Sequence, residues 1–143
     1  MHLDYKLSND WKPDAALLDE DEATFRYSAA PGDIVLHGPA ADFSTEWGWV
    51  PLVDFVLALH DIVAKLARGE REASFEFTES EARLEFLRKG EEVHLTATYA
   101  PGEIKTPLSE LHDSVHRLAG RLKKELVAKH PPLGKHRLIE ELE

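Results

Sequence analysis

Apolar residues change their spacing twice along this chain, and that change constrains the fold more than any other feature. From Pro51 to Arg68, Leu52, Phe55, Val56, Leu59, Ile62, Val63 and Leu66 recur every three or four residues and predict one face of a helix. Asp54, Asp61, Lys65 and Arg68 fall on the other side of that wheel. Pro51 suits the first turn, where its missing donor is not needed, and Gly69 suits the C-terminal cap because it tolerates a left-handed backbone. A second stripe of Leu108, Leu111, Val115, Leu118, Ala119, Leu122 and Leu126 predicts a helix that starts with Thr106 as N-cap and Pro107 at the first position. It should end near Lys129, ahead of Pro131-Pro132, with Leu133–Glu143 forming either one short helix or a loose tail.

Between the two helices the period drops to two. Ala73, Phe75 and Phe77, then Ala82, Leu84 and Phe86, then Val93, Leu95 and Ala97 read as three antiparallel strands. Turns at Glu79-Ser80 and Lys89-Gly90 would set Phe75 against Leu84, Leu84 against Leu95, and Phe86 against Val93. The first third carries a fainter alternation: Leu3, Tyr5 and Leu7, then Phe25, Tyr27 and Ala29, then Ile34 and Leu36 after a Pro31-Gly32 turn. The expectation is one α+β domain over residues 1–143, with about six strands in the order βββαβββα. Each apolar helical stripe needs cover, so both helices should lie on one face of an antiparallel sheet.

Charge narrows the function classes. Against 17 basic residues stand 27 acidic ones, a formal charge of −10. Nucleic-acid affinity draws on Lys and Arg releasing counterions, so a nucleic-acid partner is not expected. The excess is uneven: residues 1–50 hold three basic and ten acidic groups, residues 101–143 eight and seven. A basic protein would be steered to the acidic part. The chain has no cysteine, which removes disulfides, thiolate metal sites and thiol nucleophiles and fits a reducing compartment. The longest apolar run, Phe55 to Leu59, is too short to span a bilayer, and Met1–Asp4 opens no signal-like segment. The reading is a cytoplasmic protein without a membrane partner.

Signatures of catalysis are missing. There is no Gly-x-Ser-x-Gly elbow and no Gly-x-Gly-x-x-Gly turn, and Gly134-Lys135 lacks the earlier glycine of a phosphate loop. Asp19-Glu20-Asp21-Glu22 has no following glycine for a calcium loop and reads as a solvated acidic stretch. His112 and His116 sit one helical turn apart, a spacing that can hold a metal, but no Glu follows His112 as a zinc peptidase requires. These two, like His60 on the first helix, read as residues at the boundary of an apolar stripe. Neither a metal nor a cofactor is expected.

Two surfaces remain as candidates. The first is Phe43-Ser44-Thr45-Glu46-Trp47-Gly48-Trp49-Val50, where two indoles flank a glycine just before the first helix. Tryptophan supplies large, stiff apolar area at interface centres, although a ring here could equally cap the core. Asp42, Glu46, Trp47 and Trp49 are the candidate contacts, with Asp19, Glu20, Asp21 and Glu22 as steering charge. The second is the outer face of the central sheet, where the expected register sets Glu76 opposite Arg83 and Glu85 opposite His94, beside Thr96 and Thr98. Such a row is either a wet sheet face or a small-molecule or catalytic site.

The segments Trp47-Gly48-Trp49-Val50-Pro51-Leu52-Val53-Asp54-Phe55 and Phe75-Glu76-Phe77-Thr78-Glu79-Ser80 resemble small actinobacterial proteins of the immunity type. The resemblance implies a small α+β fold and a cytoplasmic protein partner; it carries no functional residues with it. The leading expectation is therefore a non-enzymatic module that binds a basic protein, in the manner of an immunity protein occluding a toxin. A small-molecule site or minor enzyme on the sheet face, and a homodimer, are the alternatives.

Overall fold

The computed structural model describes residues 1–9, 11, 21–78 and 80–142. Among them the chain runs β1 (His2–Leu7), α1 (Glu22–Ser28), β2 (Pro31–His37), β3 (Val50–Pro51), α2 (Leu52–Ala67), β4 (Glu72–Glu76), β5 (Arg83–Lys89), β6 (Glu92–Ala97), β7 (Ile104–Pro107), α3 (Leu108–Lys129), a 3₁₀ turn (Pro131–Lys135) and α4 (Arg137–Glu140). The α+β class stands. The single sheet does not: seven strands form two antiparallel sheets, β1-β2-β3 and β4-β5-β6-β7.

Both long helices form where the stripes require them. Leu52, Phe55, Val56, Leu59, Ile62, Val63 and Leu66 of α2 are buried, as are Leu111, Val115, Leu118, Ala119, Leu122 and Leu126 of α3. The two helices pack on each other, α2 also against β4 and β2, and α3 against β1 and β7. Gly69 closes α2 at φ 104°, a left-handed conformation that a side chain would strain, and its N–H donates to the Leu66 carbonyl. Thr106 is not a cap. It lies inside β7 at 1% exposure, and Pro107 takes the N-cap position of α3 without a side-chain hydrogen bond.

Residues 22–28 are helical where alternation suggested a strand. The Asp21 carboxylate accepts the Thr24 N–H at 2.7 Å and caps the turn. Phe25 and Ala29, four residues apart, are buried, while Tyr27 is 50% exposed; a strand would have put all three on one side. Pro31-Gly32 is likewise no turn but the start of β2, with Gly32 paired to both Leu7 and Val50. Asp54, expected to face solvent, is 6% exposed and receives the Arg26 Nε at 2.5 Å, tying α1 to the first turn of α2.

In the second sheet the first hairpin keeps the expected register, Phe75 opposite Leu84 and Glu76 opposite Arg83. The second hairpin is shifted by two residues: Leu84 faces Ala97 and Phe86 faces Leu95. The cause is the turn. Gly90, at φ 64°, occupies the first rather than the second turn position, so Lys89 pairs with Glu92. The C-terminal segment is docked rather than loose: Leu133, Leu138, Ile139 and Leu142 are buried, the His136 ring stacks on Phe25 at 3.7 Å, and His60 Nε2 donates to the Leu142 carbonyl at 2.8 Å. Those side chains and both sheets belong to one apolar cluster.

Candidate functional site

The connection from β2 to β3 holds the tryptophans, and a carboxylate on β2 organises it. Asp33 Oδ1 accepts the Trp47 N–H at 2.7 Å, the Gly48 N–H at 2.9 Å and the Thr45 hydroxyl at 2.7 Å. Thr45 Oγ1 in turn accepts the Ile34 N–H at 3.1 Å, and the Ser44 hydroxyl accepts the Leu36 N–H at 3.0 Å. The segment is thereby laced to β2 even though it carries no strand of its own beyond an isolated bridge between His37 and Asp42.

On this framework the two indoles stack, ring centroids 5.1 Å apart and 14° from parallel. Trp47 is the inner ring: Phe77 and Tyr99 meet it edge-on at 5.1 Å and 5.3 Å, and the Tyr99 hydroxyl donates to the Phe43 carbonyl at 2.6 Å. Burial, reinforced by the nearby Asp42 charge, raises the Tyr99 phenol and keeps it protonated. Trp49 is the outer ring. With Tyr27, Pro51 and Thr78 it lines an open hollow of about 680 Å³. Both indoles are half-buried, so the pair serves the core on one side and solvent on the other.

The acidic candidates have separate roles. Asp42 and Glu46 are exposed in the same connection. Hydrogen bonds from the Ser44 hydroxyl and N–H hold the Asp42 carboxyl below the usual range, so it is anionic at neutral pH. Asp21 caps α1, and the Thr24 N–H, with its hydroxyl, depresses the Asp21 carboxyl too. Glu22 pairs with Arg137 Nη1 of α4 at 3.1 Å, which removes it from free steering charge. Asp19 and Glu20 lie outside the described residues.

The sheet-face candidates do not converge as expected. Glu76 and Arg83 oppose each other at one end, beside Ser80, Glu81 and Ala82. The shifted register sets Glu85 against Thr96 and His94 against Leu87, correcting the expected Glu85–His94 pair. Arg83 turns along its own strand to Glu85, Nη2 to Oε1 3.2 Å. Glu85 and His94 nevertheless line one groove of about 460 Å³ with Glu72, Ser74, Thr96 and Glu103. Glu72, Glu92 and Glu103 were missed by sequence reasoning. Glu103 precedes a strand, β7, that shows only Ile104 and Thr106 as alternating inward residues, too short a pattern to register.

The histidines of α3 touch: Nε2 of His112 and His116 lie 3.2 Å apart, and the His60 ring of α2 meets His116 at 5.2 Å. Partial burial and the charges of His112 and His60 push the His116 imidazole below its ordinary value, against an opposing pull from Asp113. Among the described residues no three His, Asp or Glu side chains form a set that could hold a metal ion. Nor is any helix among them long and apolar enough to cross a membrane. In comparisons with known proteins, no family model, no curated protein and no solved structure matches the chain.

Proposed function

We propose that this protein is a non-enzymatic, cytoplasmic binding module whose Trp49 surface docks a basic protein, in the way an immunity protein occludes a toxin. The observation that carries the reading is the Asp33-held loop. Two backbone N–H groups and the Thr45 hydroxyl bond to Asp33 beneath a stacked indole pair, whose outer ring opens onto a hollow with half-exposed Tyr27. A surface already rigid before binding loses little conformational entropy on association, and aromatic anchors in such hollows dominate interface energy. Asp42 and Glu46, exposed in the same connection, and the net charge of −10 supply complementarity to a cationic partner and speed encounter.

The test is capture from the native host with the wild-type protein and with Trp49→Ala combined with Tyr27→Ala, at low and high salt. The reading predicts one basic partner that the double variant loses by a factor of at least about 30, as two hot-spot truncations together would cost. Its association rate should fall with salt. Equal capture by the double variant, or salt-insensitive binding, sinks it. A stable homodimer in solution that the double variant dissolves would assign the hollow to a second copy instead.

A further inference from the structure

Helices α2 and α3 meet along a seam whose solvent edge carries three imidazoles, apart from both surfaces described above. His112 and His116 stand one turn apart on α3, and the His116 ring meets His60 of α2 edge-on at 5.2 Å. The backbone beneath the pair is fixed, because Leu111, Val115 and Leu118 are buried at no more than 1% exposure. Both rings of the pair are exposed, so a solute can reach them. Water can serve an exposed imidazole on either nitrogen, yet these two turn on each other, Nε2 to Nε2 at 3.2 Å.

That separation has a meaning in coordination chemistry. Two imidazole nitrogens bound to one zinc at roughly 2.0–2.1 Å and a tetrahedral angle stand about 3.3–3.4 Å apart, against about 2.8–3.0 Å at the right angles of square-planar and octahedral sites. The pair lies within about 0.2 Å of the tetrahedral spacing with no movement of the helix. One hydrogen bridges the two nitrogens, and whichever ring carries it, a bound cation takes its place while the proton leaves to solvent or to the other nitrogen of its ring.

Two further contacts prepare the rings. The Asp113 carboxylate lies 3.3 Å from His112 Nδ1, the nitrogen remote from the pair, and a carboxylate in that position orients a metal-ligating imidazole and raises its basicity. His60 commits its Nε2 to the Leu142 carbonyl at 2.8 Å and flanks His116 as a wall. Beside the pair a hollow of about 280 Å³, lined by His60, Val63, Ala64, Ala67 and Val115, leaves room for ligands that the protein does not supply. Among the described residues no third His, Asp or Glu completes the set, so two positions of a tetrahedron fall to water.

We propose that His112 and His116 bind one divalent transition-metal ion of the zinc class through their Nε2 atoms, with water in the remaining positions. Neutral imidazole suits zinc, copper and nickel, whereas magnesium and calcium take oxygen ligands. The net charge of −10 attracts any cation, so preference for zinc over magnesium separates this site from the acidic surface. Structural zinc sites spread their affinity over four ligands, and two should hold zinc with a dissociation constant on the order of 10 µM.

The test is a zinc titration of the wild-type protein at neutral pH, read by calorimetry and by the histidine side-chain nitrogen resonances, with magnesium as control. The expected result is one zinc per chain, coordination shifts at His112 and His116, and none at His2 and His37, whose rings also pair, at 5.0 Å. His112→Gln, an exposed change that keeps the fold, should weaken zinc binding at least about tenfold, and Asp113→Asn by a smaller factor of about three. His2→Gln should leave it unchanged. No saturation by ~1 mM zinc overturns the proposal, since two imidazoles acting together bind more tightly than that. An equal response to magnesium, coordination shifts led by His2 and His37, or undiminished binding in His112→Gln overturns it as well and leaves the pair as a surface hydrogen bond.

Discussion

The Asp33 carboxylate lies 2.7 Å from the backbone nitrogen of Trp47, fourteen residues along the chain, and one oxygen of that carboxylate also takes Gly48 and Thr45. This side chain on β2 holds the Trp47-Gly48 end of a segment whose earlier part is tied to β2 by the Phe43 and Thr45 N–H groups, which donate to the Leu36 and Ile34 carbonyls. Charged acceptors make stronger hydrogen bonds than neutral ones, which suits a carboxylate to this role.

Replacing Asp33 with Ala should leave two backbone N–H groups without partners and cost roughly 2 kcal/mol. It should also abolish the circular-dichroism couplet of the stacked Trp47 and Trp49 rings. Asp33→Asn, which keeps an acceptor oxygen, should lose less on both measures. An intact couplet in Asp33→Ala would mean that the rings are held by their own packing.

Arg26 and Asp54 join α1 to a buried acid of α2. Arg26→Ala strands a carboxylate at 6% exposure and should destabilise the protein by about 2 kcal/mol in urea unfolding, whereas the further change Asp54→Ala should restore part of that loss. Additive effects of the two changes would show that solvent already serves Asp54.

Acid should weaken the fold through His116. Its folded-state pKa lies below the ordinary imidazole value, so the unfolded chain binds more protons and stability rises with pH through that window. Conversely, stability is lost as pH falls through about 6.5 toward the folded value. His112 and His60 add repulsion once protonated, while Asp113 opposes it. Melting temperatures from about pH 7.5 down to about pH 5.5 should fall less in His116→Gln than in the wild type. Parallel curves would assign the acid response elsewhere.

The docked C-terminal segment should be structural. Ending the chain after Pro132 removes four apolar side chains of at most 5% exposure, Leu133, Leu138, Ile139 and Leu142, with an upper limit of about 12 kcal/mol. Thermal unfolding should shift sharply downward, and the milder Leu142→Ala should cost about 2–3 kcal/mol. A truncated chain that melts with the wild type would refute the docking.

These outcomes also mark how far the amino-acid pattern reached. Helices α2 and α3 were legible because long stripes repeat over several turns, and the Phe75–Leu84 register because both hydrophobic alternations agree with it. Helix α1 was not. Phe25 and Ala29 are compatible with either period, and the deciding signal is Asp21 as a cap, which the run of acidic residues around it conceals. The second register failed over one glycine's place in a turn. Of the two candidate surfaces, Trp47 and Trp49 announced themselves by composition. Asp33, which holds them, and Glu103, which faces His94, did not, because each acts only across a spatial contact distant in sequence.

Strand β1 is bound at both ends of the chain's order. It pairs with β2 nearby, but the Tyr5 hydroxyl reaches Glu125 at 2.6 Å across 120 residues, and Arg121 donates to the Leu3 carbonyl across 118. During synthesis on a ribosome, α3 emerges on the order of ten seconds after β1. Over that interval the side of β1 that carries Leu3 and Tyr5 has no native cover from α3. The meander β4-β5-β6-β7, whose neighbours all follow one another in the chain, escapes that delay.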